Sequence, residues 1–130
     1  MPTIVNAHLS APKNEKLKIV EVNAKCQINL SHFEGVEVGQ RVKYRVRCWI
    51  TGDDSSDKLL YLGVWEIKSP GSHALSYARS VGLDGVLDHD SGDDEITARF
   101  EVELVSLYGL YPGGVTVATA NSNKISNIHY

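Results

Sequence analysis

From Leu17 to Leu30 the chain alternates with a period of two. Val20, Val22, Ala24, Cys26, Ile28 and Leu30 occupy even positions, with Glu21, Asn23, Lys25, Gln27 and Asn29 between them. A strand sends successive side chains to opposite faces, so this segment predicts a strand with one buried and one wet face. On a helix the same apolar residues would scatter around the axis. The segment is long for one strand, and a bend or bulge is expected partway. The pattern recurs further on. Val42, Tyr44, Val46, Cys48 and Ile50 share one face, and Arg41, Lys43, Arg45, Arg47 and Trp49 share the other. Ile96, Ala98, Phe100, Val102 and Leu104 alternate with Thr97, Arg99, Glu101 and Glu103. Leu59 to Ile67 is apolar on both faces, which predicts a central strand or one covered by a neighbour. Shorter strands are expected at Thr3–Leu9, Val115–Ala120 and Lys124–His129. Ser69 to Asp84 departs from the pattern. There Ala74, Tyr77, Ala78 and Val81 fall at helical spacing, with Ser72 as a cap and Gly82 as a stop, predicting one short helix or turn near 72–82. Turn residues separate the segments. The expected fold is all-β, an antiparallel β-sandwich of seven or eight strands, with a small barrel as the alternative.

A chain of 130 residues predicts one domain and can build a core without a disulfide or metal staple. Its 42% apolar and 22% charged content excludes an intrinsically disordered chain. No apolar run approaches the roughly 18 residues of a membrane span. Met1-Pro2-Thr3 does not open a signal peptide, so a cytoplasmic or virion location is expected ahead of a secreted one. Cys26 and Cys48 fall on the inferred buried faces and read as small apolar residues. A disulfide between them stays open if their strands face each other, though a reducing compartment disfavours it. Neither has a CxxC partner, which argues against zinc.

Motifs for catalysis are absent: there is no GxSxG, no HExxH and no glycine-rich phosphate loop before a helix. His8, His32, His73, His89 and His129 are scattered. No enzyme is expected. The net charge of −3 argues against nucleic acid as a partner. Charge is unevenly placed, however. Nine of the sixteen acids lie in two segments, Asp53–Asp57 and Asp84–Glu95. Asp88 to Glu95 alone holds five carboxylates in eight positions. Calcium takes six to eight hard oxygens, and alternate aspartates in a loop can converge on one ion. The spacing does not fit an EF-hand, because Gly92 stands where the fifth-position ligand belongs. The alternative is an acidic loop that keeps a sheet edge soluble. The basic stripe Arg41, Lys43, Arg45 and Arg47 is the opposite feature, and Trp49 continues its face. Glu101 and Glu103 are its expected cross-strand partners. As a functional surface, the stripe would dock onto the acidic loop of another copy or onto a larger complex. An aromatic beside cations also fits a sugar-stacking platform.

Two stretches resemble immunoglobulin-like and fibronectin type III-like sandwiches. Val38-Gly39-Gln40-Arg41-Val42-Lys43-Tyr44-Arg45-Val46 is similar to their V-G-Q-x-V-x-Y-x-V strand opening. Leu110-Tyr111-Pro112-Gly113-Gly114-Val115-Thr116-Val117, continuing through Asn121 to Ser126-Asn127, is similar to their L-x-P-G hairpin and terminal strand. The likeness implies an architecture and carries no functional residue. Val86 to Ile96 resembles the calcium loop of C2 domains, V-x-D-x-D-x-x-x-D-D-x-I. That resemblance implies Asp88, Asp90 and Asp94 as calcium ligands, with Asp53 or Asp57 contributing from the other segment. The sequence thus predicts a non-enzymatic structural or interaction module that assembles with copies of itself or docks on a complex. The alternative is a calcium-dependent domain binding lipid or carbohydrate.

Overall fold

A computed structural model describes residues 2–14, 16–17, 19–32, 38–39, 41–52, 58–82, 94–106 and 114–128. All named elements are strands: β1 (Thr3–Ser10), β2 (Lys13–Asn14), β3 (Ile19–Asn29), β4 (Val42–Thr51), β5 (Lys58–Ile67), β6 (Ser72–Gly82), β7 (Asp94–Ser106) and β8 (Val115–Ile128). They form two antiparallel sheets packed face to face. In one, β3 lies between β6 on one side and β1 with the short β2 on the other; the second has the order β5-β4-β7-β8. The fold is an all-β sandwich.

The alternating sequences place themselves as expected. Val20, Val22, Ala24, Cys26 and Ile28 of β3 face Val46, Cys48 and Ile50 of β4 and Ile96 to Val102 of β7 across one core. Phe100 is fully buried at its centre, and Tyr77 stacks against it at a centroid distance of 6.0 Å. The Tyr77 hydroxyl donates to the Val46 carbonyl at 2.6 Å, tying one sheet to the other. Cys26 and Cys48 are buried free thiols. Burial pushes the Cys26 thiol up to about 12 and raises Cys48 as well.

The separate strands expected at Val115–Ala120 and Lys124–His129 run together as β8. Two further expectations are corrected. Residues 72–82 form no helix; they are β6, paired with β3 over eleven consecutive positions from Ser72↔Asn29 to Gly82↔Ile19. The helical spacing arose from Ala74 and Ala78, which lie exposed on the outer face, while Leu75 and Tyr77 point into the core. Backbone pairing along a whole neighbouring strand outweighs a weak propensity signal. The second correction concerns β5, which is an edge strand rather than a central one. Tyr61, Val64 and Trp65 are 42%, 47% and 48% exposed, and Leu60 and Ile67 face the core. Leu60 and Ile67 have opposite parity. The register slips beside Gly63, whose φ of 144° suits glycine, and that bulge turns both residues inward.

Each seam between the sheets is closed by side chains. Along β5 and β6, Trp65 Nε1 donates to the Ser76 carbonyl at 3.0 Å and Arg79 donates to the Tyr61 carbonyl at 3.1 Å. Along β1 and β8, the Asn123 amide takes both polar groups of Leu9. Its Oδ1 accepts from Leu9 N–H at 2.8 Å, and its Nδ2 donates to the Leu9 carbonyl at 3.1 Å. The register shift in β8 frees this side chain, and Ser122 Oγ accepts the Ala98 N–H beside it at 2.9 Å. The turn before β4 shows why a glycine follows Val38. Gly39 has φ +82°, its N–H donates to the Val42 carbonyl at 2.8 Å, and a Cβ there would run into the Lys68 carbonyl.

Strand directions fix the ends of the molecule. Thr51 of β4 pairs with Lys58 of β5 and Thr97 of β7. The Trp65–Ser76 and Arg79–Tyr61 bonds together show that β6 runs antiparallel to β5, bringing Gly82 toward the level of Lys58. Both acidic segments therefore leave and rejoin the sandwich at the same end.

Candidate interaction surface

The outer face of the β5-β4-β7-β8 sheet carries the basic stripe, and the strand register defines it in rows. Glu66, Arg45 and Glu103 form one row across β5, β4 and β7. Val64, Arg47, Glu101 and Thr119 form the next, extending onto β8, and Tyr61, Trp49, Arg99 and Asn121 the third. Lys43 stands above these rows toward the end opposite the acidic segments.

Glutamates neutralise much of the stripe. Arg45 and Arg47 both reach Glu103, at 3.5 and 2.9 Å. Lys43 bonds Glu66 at 3.1 Å, and Lys68 approaches the same oxygen at 3.6 Å. Glu101 bonds Arg99 at 3.3 Å along its own strand. Of the two expected partners, Glu103 serves the stripe directly. The sequence did not point to Glu66, because its pairing depends on the β5 register beyond the Gly63 bulge. The hydrogen bond from Lys43 holds the Glu66 carboxyl below its ordinary value; desolvation opposes it, and the charges of Lys43, Lys68 and Arg45 add to the lowering. Burial works against the charged form of Arg47, but Glu103 and a hydrogen bond with Tyr61 hold its pKa above the ordinary value. Gly114 lies directly against the Glu103 side chain, where a Cβ would displace it. The three glutamates still fall short of the four strand cations Lys43, Arg45, Arg47 and Arg99, so this face carries positive charge on a negative protein. Arg41 is exposed at the turn before β4.

An apolar patch adjoins the charges. Trp49 is half-buried and packs on Tyr61 with ring centroids 5.5 Å apart and planes tilted by 51°. Val64, nearly half exposed, extends the patch along the edge strand. The other sheet presents a contrasting outer face, with small or uncharged residues such as Ser72, Ala74, Ser76 and Ala78 opposite Asn29, Gln27, Lys25 and Asn23.

The proposed calcium ligands Asp53, Asp57, Asp88 and Asp90 lie outside the described residues. Asp94 opens β7 and pairs with Ile128. Among the described residues no group of three or more His, Cys, Asp or Glu is placed to hold a metal ion. No helix among them is long and apolar enough to cross a membrane. No protein-family model and no curated protein matches the chain.

Proposed function

We propose that this chain is a non-enzymatic interaction module of the immunoglobulin-like sandwich type, docking through the outer face of the β5-β4-β7-β8 sheet. One observation carries the reading. Exposed Tyr61 and Val64 on the edge strand, with the half-buried Trp49 packed on Tyr61, make an apolar patch flanked by arginines, on a face with more positive than negative charge. Aromatic residues and arginine are the side chains enriched in interface cores, and exposed apolar patches on small soluble domains mark docking sites. The ion pairs around the patch are partly exposed and individually weak, so a partner's carboxylates can exchange with the chain's own at little cost. A partner that presents carboxylates fits best, and a second copy of the chain supplies Glu101 and Glu103. The strand order, with β1-β3-β6 against β5-β4-β7-β8, supports the immunoglobulin-like reading. In the test, light scattering at low ionic strength finds oligomers, and they loosen in 0.5 M salt because screening shortens to a few ångströms. A monomer at every concentration and salt would overturn the reading.

A calcium-dependent domain for lipid or carbohydrate is the second reading. The observation favouring it is that Thr51, Lys58, Gly82 and Asp94, the residues flanking the two acidic segments, fall at one end of the sandwich. Calcium would then raise the melting temperature by mass action, and Asp88→Asn with Asp90→Asn would abolish the shift. No shift at millimolar calcium removes this reading.

A further inference from the structure

Two copies that meet face to face about a two-fold axis lying in the interface place each residue opposite its mirror position across that axis. The rows on the outer face of the β5-β4-β7-β8 sheet can be tested against axes perpendicular and parallel to the strands. An axis perpendicular to the strands lays β4 on β4. Passing at Arg45, it sets Arg45 against Arg45 and Lys43 against Arg47; passing at Arg47, it sets Arg47 against itself. Like charges in contact cost several kcal/mol, so these arrangements are excluded. An axis parallel to the strands and running between β4 and β7 does the opposite. The register Arg45↔Glu103, Arg47↔Glu101 and Trp49↔Arg99 within one sheet then becomes the register between copies.

We propose that two copies of the chain form an isologous dimer through this face, about a two-fold axis running parallel to the strands between β4 and β7. The proposal rests on the docking reading above and supplies its occupant. Arg45 and Arg47 of each copy meet Glu103 and Glu101 of the other. Arg99 of each copy lies over the Trp49 ring of the other, a cation–π arrangement. Val64 and Tyr61 at one edge meet Thr119 and Asn121 at the opposite edge, which buries the exposed patch twice. The two carboxylates that pair with cations within one chain thereby bridge to a second set. The rows from Arg45 to Trp49 bring no like charges together, and only the Thr51 row at the rim, with Lys58 level with Lys124, does so.

The face limits the strength of the dimer. Four strands span about 19 Å and the rows from Lys43 to Thr51 about 27 Å, so about 500 Å² per copy is covered. The total of about 1,000 Å² stands at the lower edge of specific interfaces. A weak, salt-sensitive dimer with a dissociation constant in the micromolar range is expected.

Charge reversal tests the axis. Arg47→Glu places Glu against Glu101 twice in a homodimer, and Glu101→Arg places Arg against Arg47 twice. Each variant alone should dimerise at least about 100-fold more weakly than the unaltered chain, a change of about 2.7 kcal/mol. An equimolar mixture of the two restores opposite charges at both contacts. It should form a heterodimer by native mass spectrometry, with an affinity within about tenfold of the unaltered homodimer. The double variant Arg47→Glu/Glu101→Arg in one chain should recover the homodimer, which also shows that these positions tolerate the change. Suppose the unaltered chain self-associates but the mixture forms no heterodimer. Then the axis is wrong and the docking reading survives. Assemblies that keep growing with concentration overturn the closed dimer in favour of head-to-tail contact. A chain monomeric at low salt overturns both.

Discussion

Asn123 supports a quantitative test of the seam between β1 and β8. Leu9 is 1% exposed, and its N–H and carbonyl are both held by the Asn123 amide. Asn123→Ala removes two hydrogen bonds, each worth about 1 kcal/mol net, and leaves two backbone groups unpaired at about 1 kcal/mol or more apiece. Asn123 itself is exposed, so water partly reaches these groups, and the low end applies. The expected loss is about 2–3 kcal/mol. Unfolding entropy of about 2.1 cal/mol/K per residue amounts to about 0.27 kcal/mol/K for this chain, so the melting temperature should fall by about 7–11 °C. Asn123→Asp adds a signature that packing alone would not produce. Its carboxylate still accepts from the Leu9 N–H but places a second oxygen against the Leu9 carbonyl. Protonation restores a donor there, so the folded-state pKa of this Asp lies above its unfolded value. Its stabilising contribution is then present at acid pH and lost as pH rises through the folded pKa. Calorimetry of both variants from pH 4 to pH 8, each compared with the unaltered chain, reads this directly. A fall below about 2 °C for Asn123→Ala, or a pH-independent deficit for Asn123→Asp, refutes the argument.

Further expectations concern the core, the turn and the charged face. Tyr77→Phe leaves the ring stack with Phe100 but removes the donor to Val46, costing about 1–1.5 kcal/mol in urea denaturation; an unchanged midpoint would deny that bond a structural role. Gly39→Ala forces a side chain into left-handed backbone against the Lys68 carbonyl and should lower stability by more than about 2 kcal/mol, again by denaturant midpoint. Burial raises both thiols, so Cys26 and Cys48 should resist alkylation at pH 8 until the chain unfolds, as counted by mass spectrometry; rapid labelling of folded protein would contradict it. Lys43→Met removes the bond that depresses Glu66, so NMR titration of that carboxyl should move toward ordinary values. Because the folded pKa is depressed, the pair's contribution is present at neutral pH and lost as pH falls through that pKa.

How far the sequence could be read depended on where each strand sits. β3, β4 and β7 lie between neighbours with one face on the core, and their alternation transcribes that geometry directly. β6 hid its nature because it borders the seam with β5. Arg79 has inward parity yet reaches sideways to Tyr61, and alanines fill the outward positions, so the expected contrast between faces collapsed. β5 misled for a different reason. One bulge at Gly63 exchanges its faces midway, and no pattern with a fixed period can register such a switch. The same bulge governed the candidate surface. The basic stripe was legible on β4 alone, and Glu103 followed from strand polarity. The Trp49–Tyr61 contact, the exposed Val64 and the Glu66 pairings required knowing which residues of β5 stand beside β4. Asn123 gave no signal at all, since an amide in a polar strand looks like surface until a register shift aims it at a neighbour.

The arrangement of β1 and β8 has a mechanical consequence. Thr3 pairs with Asn29, level with the Ser72 end of β6, and Val115 pairs with Leu104 at that same end, so β1 and β8 run in the same direction. Tension applied at Thr3 and at Ile128 therefore pulls these two strands past each other along their lengths. The ladders holding β1 to β3 and β8 to β7 are loaded in shear, many bonds at once, instead of being peeled open one at a time. The Asn123 clasp lies across that line of force. A sandwich tethered by its first and last strands in this way would resist stretching more strongly than its equilibrium stability suggests, and would yield abruptly when β1 slips free.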